Sequence, residues 1–294
     1  MKLDRALLAR IGRLRIATAG LASGRGQGDR AAAAVGAGVS FADHRPYAPG
    51  DDLRHVDWNI YARLDQLLVR LYHEDREQTV AVVLDASGSM GTGARAKIEH
   101  AGDIAACLCL VGLLGRDAVR LVIVGAAGGP VVVEGRDPAA LPRFLAALEA
   151  ASPGGTLDTR AALIRSARRA RTDQVFLLSD MLLEGEAQEA ALRALAATAG
   201  RAVLLQVLSE EDLRPDLEDA VRLVDAETGT EQRVGGGPEV AAAYAAALSA
   251  FQSGLAVRCR RFGVRLVEAH ADRPVETVLL DGLRRAGVLR GRAS

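Results

Sequence analysis

The rhythm of apolar and polar positions changes at about residue 79 of this chain. Beyond that point come short, unbroken apolar runs: Val80-Ala81-Val82-Val83-Leu84, Ala118 to Val124, Val175-Phe176-Leu177-Leu178, and Ala202 to Leu208. Runs of this length without alternation suit strands covered on both faces of a parallel sheet. Val264 to Glu268 reads as a last strand, and Val131 to Val133 as a short antiparallel edge strand. Between the runs, the pattern predicts helices at about 96–115, 141–148, 159–171, 186–199, 237–262 and 274–286. Asp158 stands at the cap of the third. Strand alternating with helix argues for an α/β fold built on a doubly wound, mostly parallel sheet. One insertion breaks the alternation near 219–235. There Val221–Val224 and Glu231–Val234 flank Asp225-Ala226-Glu227-Thr228-Gly229, which predicts a β-hairpin.

The first 76 residues follow a different pattern. Leu3, Leu7, Leu8, Ile11 and Leu14 predict a helix over residues 1–22, and the Gly-, Ala- and Ser-rich stretch 23–40 a loop. Arg45-Pro46-Tyr47-Ala48-Pro49-Gly50-Asp51-Asp52 is turn-rich, with Asp51 or Asp52 as candidate caps, and Leu67 to Tyr72 is a candidate strand. No clear linker follows, so residues 1–76 are expected to be an N-terminal extension packed on an α/β domain spanning 77–294.

Composition removes several function classes. Lysine plus arginine and aspartate plus glutamate both number 37, so the net charge is zero, and aromatics are 3%. Neither a nucleic-acid surface nor a stacking platform for single strands is expected. Cys107, Cys109 and Cys259 lack metal or redox spacing and read as buried small apolar residues. No signal core opens the chain, and no stretch reads as a run of about 18 uncharged apolar residues. The expectation is therefore a cytoplasmic chain without membrane insertion.

The candidate chemistry gathers at strand ends. Asp85-Ala86-Ser87-Gly88-Ser89 stands where a buried strand hands over to a helix, the edge at which open α/β sheets bind ligands. Asp180 ends a second buried strand, and Ser152-Pro153-Gly154-Gly155-Thr156 brings a hydroxyl after a glycine-rich loop. Asp85, Ser87, Ser89, Thr156 and Asp180 offer only oxygen donors, the ligands that Mg²⁺ takes, with Mn²⁺ as an alternative. Gly88 is read as permitting the tight backbone that aims both serines at one point. Three neutral hydroxyls leave such an ion electrophilic and open to a partner's acidic side chain. The main alternative is a Mg²⁺-dependent hydrolase or phosphotransferase with Asp85 as nucleophile. Ser87 stands where haloacid-dehalogenase-like enzymes carry a second carboxylate, and neither a P-loop nor a G-x-S-x-G elbow is present. A binding module rather than an enzyme is expected.

The D-x-S-x-S pattern, a Thr after two glycines and an Asp after an apolar strand resemble the metal-ion-dependent adhesion site of von Willebrand factor A domains, at all five positions. That resemblance implies a mostly parallel sheet with helices on both faces, one antiparallel edge strand, and a metal that binds acidic residues of partner proteins. A second set is Arg45-x-Tyr47-x-x-Gly50-Asp51-x-x-Arg54-x-x-Asp57-Trp58, then Ala62-Arg63, Val69-Arg70 and the 225–229 hairpin turn. It resembles the bacterial family known as domain of unknown function 58. Members are often encoded beside MoxR-type AAA+ ATPases, which implies an adaptor working with such an ATPase in protein assembly or activation. For Arg45, Tyr47, Asp51, Arg54, Asp57 and Trp58 two readings stand. In one, Arg54 pairs with Asp57 and Trp58 anchors the extension. In the other, the six form a partner-binding surface. Arg165, Arg168, Arg169 and Arg171 read as a solvated helix face, and His73-Glu74-Asp75 lacks the spacing of a zinc site.

Overall fold

The computed structural model describes residues 5–17, 39–51, 53–74, 77–94, 96–126, 128–155, 172–183 and 185–291. The chain divides into two compact units, residues 18–77 and residues 1–17 together with 78–294.

The larger unit is built on a six-stranded sheet. Its strands are β1 (Thr79–Asp85), β2 (Ala118–Val124), β3 (Val131–Gly135), β4 (Thr172–Ser179), β5 (Ala199–Leu208) and β6 (Val264–His270). Across the sheet the order is β6-β5-β4-β1-β2-β3. Every pairing is parallel except that of β3, which runs antiparallel to β2 at one edge. The order reverses between β1 and β4. Such a switch point is where loops diverge to opposite faces and leave a crevice at the carboxyl ends of the strands.

Parity explains why these runs are apolar throughout. Val80, Val82 and Leu84 of β1 pack into one core cluster, while Ala81 and Val83 pack into the other. On the first face lie α1 (Lys97–Leu114) and α2 (Leu141–Glu149). On the second lie α3 (Gly185–Thr198) and α4 (Pro238–Phe262), through Leu192, Leu195, Leu255 and Cys259. Helix α1 is buried almost all round, so its sequence shows no polar face to reveal its orientation. Burial pushes the Cys107 thiol up to about 12, with smaller pushes from Asp103 and Glu276, and Cys109 is raised chiefly by burial too. These thiols serve packing rather than chemistry.

Several expectations are corrected here. Among the described residues of the helix expected over 1–22, Arg5–Ile11 is helical, but Gly12 follows it and Leu14–Ile16 pairs antiparallel with Leu289–Gly291; residues 1–4 and 18–22 lie outside the described residues. The last helix carries a π-helical stretch at Thr277–Leu283. Helix α3 runs directly into β5, which begins at Ala199 rather than Ala202. Residues 159–171, with Asp158 and the four arginines Arg165, Arg168, Arg169 and Arg171, lie outside the described residues.

The smaller unit is a hairpin of Val39–Pro46 with Leu68–Glu74, bulged between Phe41 and Asp43. Between its strands lie a single 3-10 turn, Leu53–His55, and a short helix, Trp58–Leu64. Asp57 caps that helix, accepting bonds from the amides of Asn59 and Ile60, while Asp52, one of the two caps expected for the preceding segment, lies outside the described residues.

Candidate functional site

Strands β1 and β4 are hydrogen-bonded neighbours, so their carboxyl ends bring Asp85 and Asp180 to one rim. The Asp85 carboxylate is fully buried and well bonded. Its Oδ1 accepts from the Ser87 amide at 2.8 Å, and its Oδ2 from Ser179 Oγ at 2.6 Å. Ser87 Oγ lies 3.3 Å from Ser89 Oγ. The Gly154-Gly155 loop is tied to the same turn, since the Gly88 amide donates to the Gly155 carbonyl and the Gly154 amide to the Ala86 carbonyl. Four of the five expected residues therefore stand around one rim. Thr156 lies outside the described residues, directly after Gly155.

Two glycines shape this rim by close approach. Gly125 has φ +77, and a Cβ there would sit 2.7 Å from the Ser87 amide nitrogen. Gly125→Ala is expected to cost about 1–3 kcal/mol through strain and displacement of the turn. A thermal scan tests this, since Tm should fall by roughly 2–4 °C per kcal/mol in a protein of this size. Gly88 is needed for a different reason from the one its sequence context gave. Its φ is ordinary, but a Cβ there would run into the carbonyl oxygen of Ala226, at the tip of the 221–234 hairpin. That hairpin thus lies over the D-x-S-x-S turn.

The charges at the rim include one cation that sequence reading missed. Lys97, in the first turn of α1, is fully buried. Its Nζ bonds Asp180 Oδ2 at 2.9 Å and lies 3.0 Å from Asp212 Oδ2. Burial pulls the ammonium's pKa down, but Asp180 and Asp212 outweigh it and leave the group above the usual lysine value. Asp212 is itself fixed by a capping box with Ser209. Asp180 Oδ1 also accepts from the Leu182 amide at 3.2 Å. Between them Met181 holds a left-handed backbone, φ 54, and its amide donates to Ser179 Oγ. A non-glycine residue held there is strain of the kind that clusters at working sites. Asp85 is the costly group. Burial first, then the negative charge of Asp180, raise its pKa to about 6, against the lowering by bonds from Ser179 and Ser87.

This donor set fits a hard cation. Two carboxylates and two hydroxyls meet at one rim, and 3.3 Å between the hydroxyl oxygens is close to the ~3 Å separating adjacent ligands of an octahedral ion. Among the described residues no three His, Cys, Asp or Glu side chains gather as a metal cluster.

The six residues of the second set serve the smaller unit in several ways. Arg45 grips Asp51 with two bonds of 2.6 Å, and Asp51 also takes the Ala48 amide, closing the turn. The Arg45 hydrogen bond holds the Asp51 carboxyl down at about 2. Asp57, besides capping, lies 3.0 Å from His44 Nε2. Tyr47 is half-buried and Arg54 exposed. Trp58 is 54% exposed and meets Tyr61 edge-on. Leu53, Leu64 and Leu67 of the same unit are exposed as well.

Comparison with known proteins gives three results. The family model described as "Protein of unknown function DUF58" matches residues 43–253. An uncharacterized protein of Mycobacterium tuberculosis is 29% identical over 276 residues, covering 90% of this chain and 85% of that one. Among solved structures, an aerotolerance-related membrane protein from Bacteroides fragilis is 14% identical, covers 71% of this chain and 98% of that one, and gives a TM-score of 0.42. The vWF domain of the type V pili tip protein Mfa5 from Porphyromonas gingivalis is 14% identical, covering 74% and 98% with a TM-score of 0.33.

The expectation of a cytoplasmic chain without a membrane-length segment is corrected. Helix α4 is long and apolar enough to cross a membrane, and almost none of that stretch is buried. Val240 to Val257 carries no charge, though Ser249, Gln252 and Ser253 interrupt its apolar run.

Proposed function

Because this chain belongs to the DUF58 family of proteins of unknown function, we propose that it is a protein-interaction module with a metal-dependent adhesion site. Its fold is von Willebrand factor A-like, a mostly parallel sheet with helices on both faces and one antiparallel edge strand. In this reading Asp85, Ser87, Ser89, Thr156 and Asp180 hold Mg²⁺, or Mn²⁺, and an acidic side chain of a protein partner completes the set. The observation that carries the reading is the meeting of Asp85, Ser87, Ser89 and Asp180 on adjacent strand ends, with the Gly154-Gly155 loop bonded to them.

When bound, the ion supplies a positive centre that its neutral hydroxyl ligands do not quench. The chain's own residues prepare that centre. Ser179 and the Ser87 amide hold the Asp85 oxygens in place, and Lys97 fixes Asp180 while offsetting part of the repulsion between the two carboxylates. The exposed apolar side chains Leu53, Trp58, Tyr61, Leu64 and Leu67 of the smaller unit suit a second contact with a partner. A MoxR-type AAA+ ATPase is the partner proposed, with the chain as its adaptor.

Two measurements test the proposal. Isothermal titration should show the purified protein binding Mn²⁺, and Asp85→Ala should abolish the heat. Affinity capture in Mg²⁺, read by mass spectrometry, should recover an AAA+ ATPase with the wild type but not with Asp85→Ala. Recovery of the same partner in chelator would sink the metal-dependent reading.

A further inference from the structure

The 221–234 hairpin is an insertion between β5 and α4 that the sheet does not need. Its strands Val221–Val224 and Glu231–Val234 pair only with each other, and most of their side chains are exposed. An element of that kind has to be explained by what its tip touches. The tip is closed by its own bonds: Asp225 Oδ1 accepts from the amides of Glu227 and Thr228 at 2.9 and 2.6 Å, and Thr228 Oγ1 donates to Thr230 Oγ1. It rests on the one turn of the molecule that carries the D-x-S-x-S residues. The Ala226 carbonyl fills the space above Gly88, and the Glu227 amide nitrogen would lie 3.5 Å from a Cβ there. The Glu227 backbone therefore lies beside the turn that carries Ser87 and Ser89, and its side chain is exposed there.

We propose that Glu227 is the chain's own occupant of the ion's open position, so that the hairpin is a built-in competitor for the partner's carboxylate. The inference rests on the metal-site reading above. Three features of the rim support it. Gly88 is the residue that lets the hairpin come down, since any side chain there would collide with Ala226. The pKa of the Glu227 carboxyl is raised by burial first and then by the negative charges of Asp180 and Asp225. The other acid of the tip, Asp225, is committed to the amides of Glu227 and Thr228, which leaves Glu227 as the carboxylate the turn presents. A partner then binds by displacing Glu227 and lifting the hairpin, and the chain has a closed and an open state.

The test uses Mn²⁺ alone as the probe, on the full chain, with titration and water-proton relaxation as readouts. Glu227→Gln keeps the shape and removes the charge. It should weaken Mn²⁺ binding by at least the roughly 10-fold that loss of a metal's outer partner costs. It should also raise the relaxation enhancement of bound Mn²⁺, because a water takes the vacated position. Gly88→Ala, which forces the hairpin away without altering the Glu227 side chain itself, should reproduce both effects. Glu231→Gln, on the hairpin strand and paired with Arg222, should change neither. Wild-type affinity and relaxivity in Glu227→Gln overturn the inference while leaving the metal site standing. Absence of Mn²⁺ binding in the wild type overturns the metal-site reading and the inference with it.

Discussion

Lys97→Met is expected to destabilise the protein by about 3–5 kcal/mol, the usual result of removing one partner of a buried ion pair. The side chain is fully buried and holds Asp180 and Asp212 together, so its loss strands two carboxylates beside a third, Asp85. Methionine fills most of the volume, which assigns the loss to charge rather than to a cavity. Urea unfolding measures it, and millimolar Mn²⁺ should recover part of it by replacing the missing positive charge. A midpoint unchanged from wild type would show that Asp180 and Asp212 do not depend on the ammonium.

Asp85→Asn is expected to act in the opposite direction on the metal-free protein. Asp85 has a folded pKa of about 6 against 3.8 for the free side chain. A raised acid favours folding while it is protonated in both states. Its contribution is fully present below about 3.8 and is lost as pH rises through about 6. At pH 8 the buried charge therefore costs on the order of 2–3 kcal/mol, which asparagine avoids. In chelator at pH 8 the variant should unfold at higher urea than the wild type, and the difference should disappear below pH 4. The same variant should bind Mn²⁺ poorly. Stability surrendered at one carboxylate is the signature of a residue kept for binding rather than for folding.

The sheet was legible because a strand buried on both faces has to be apolar at every position, and Val80–Leu84 and Val175–Leu178 are. The candidate carboxylates Asp85 and Asp180 were legible because they stand at the ends of those runs. What was missed obeys weaker local rules. Val39–Pro46 mixes Phe41, Asp43, His44 and Arg45 without a period, and its pairing with Leu68–Glu74 is a tertiary fact. Leu14–Ile16 is too short to declare itself until Leu289–Gly291 meets it. Lys97 reads as a solvated charge at a helix start, because nothing near it in sequence shows that Asp180 and Asp212 fold against it. One signal was available: Ser209-x-x-Asp212 is a capping box, which marks Asp212 as a residue held in place. The hairpin was legible as a hairpin, but its rest on Gly88 is a contact between residues far apart in the chain.

The strand order has a consequence for biosynthesis. Central strand β1 pairs on one side with β2, made soon after it, and on the other with β4. Asp180 emerges roughly 95 residues after Asp85, about 5–20 s later at usual elongation rates. Throughout that interval Val80–Leu84 offers an unpaired apolar edge to whatever is nearby, including the nascent chains of neighbouring ribosomes. Any chaperone that engages this protein during synthesis is expected to hold that half-sheet, and to let go when β4 closes the edge and, in the same event, creates the rim.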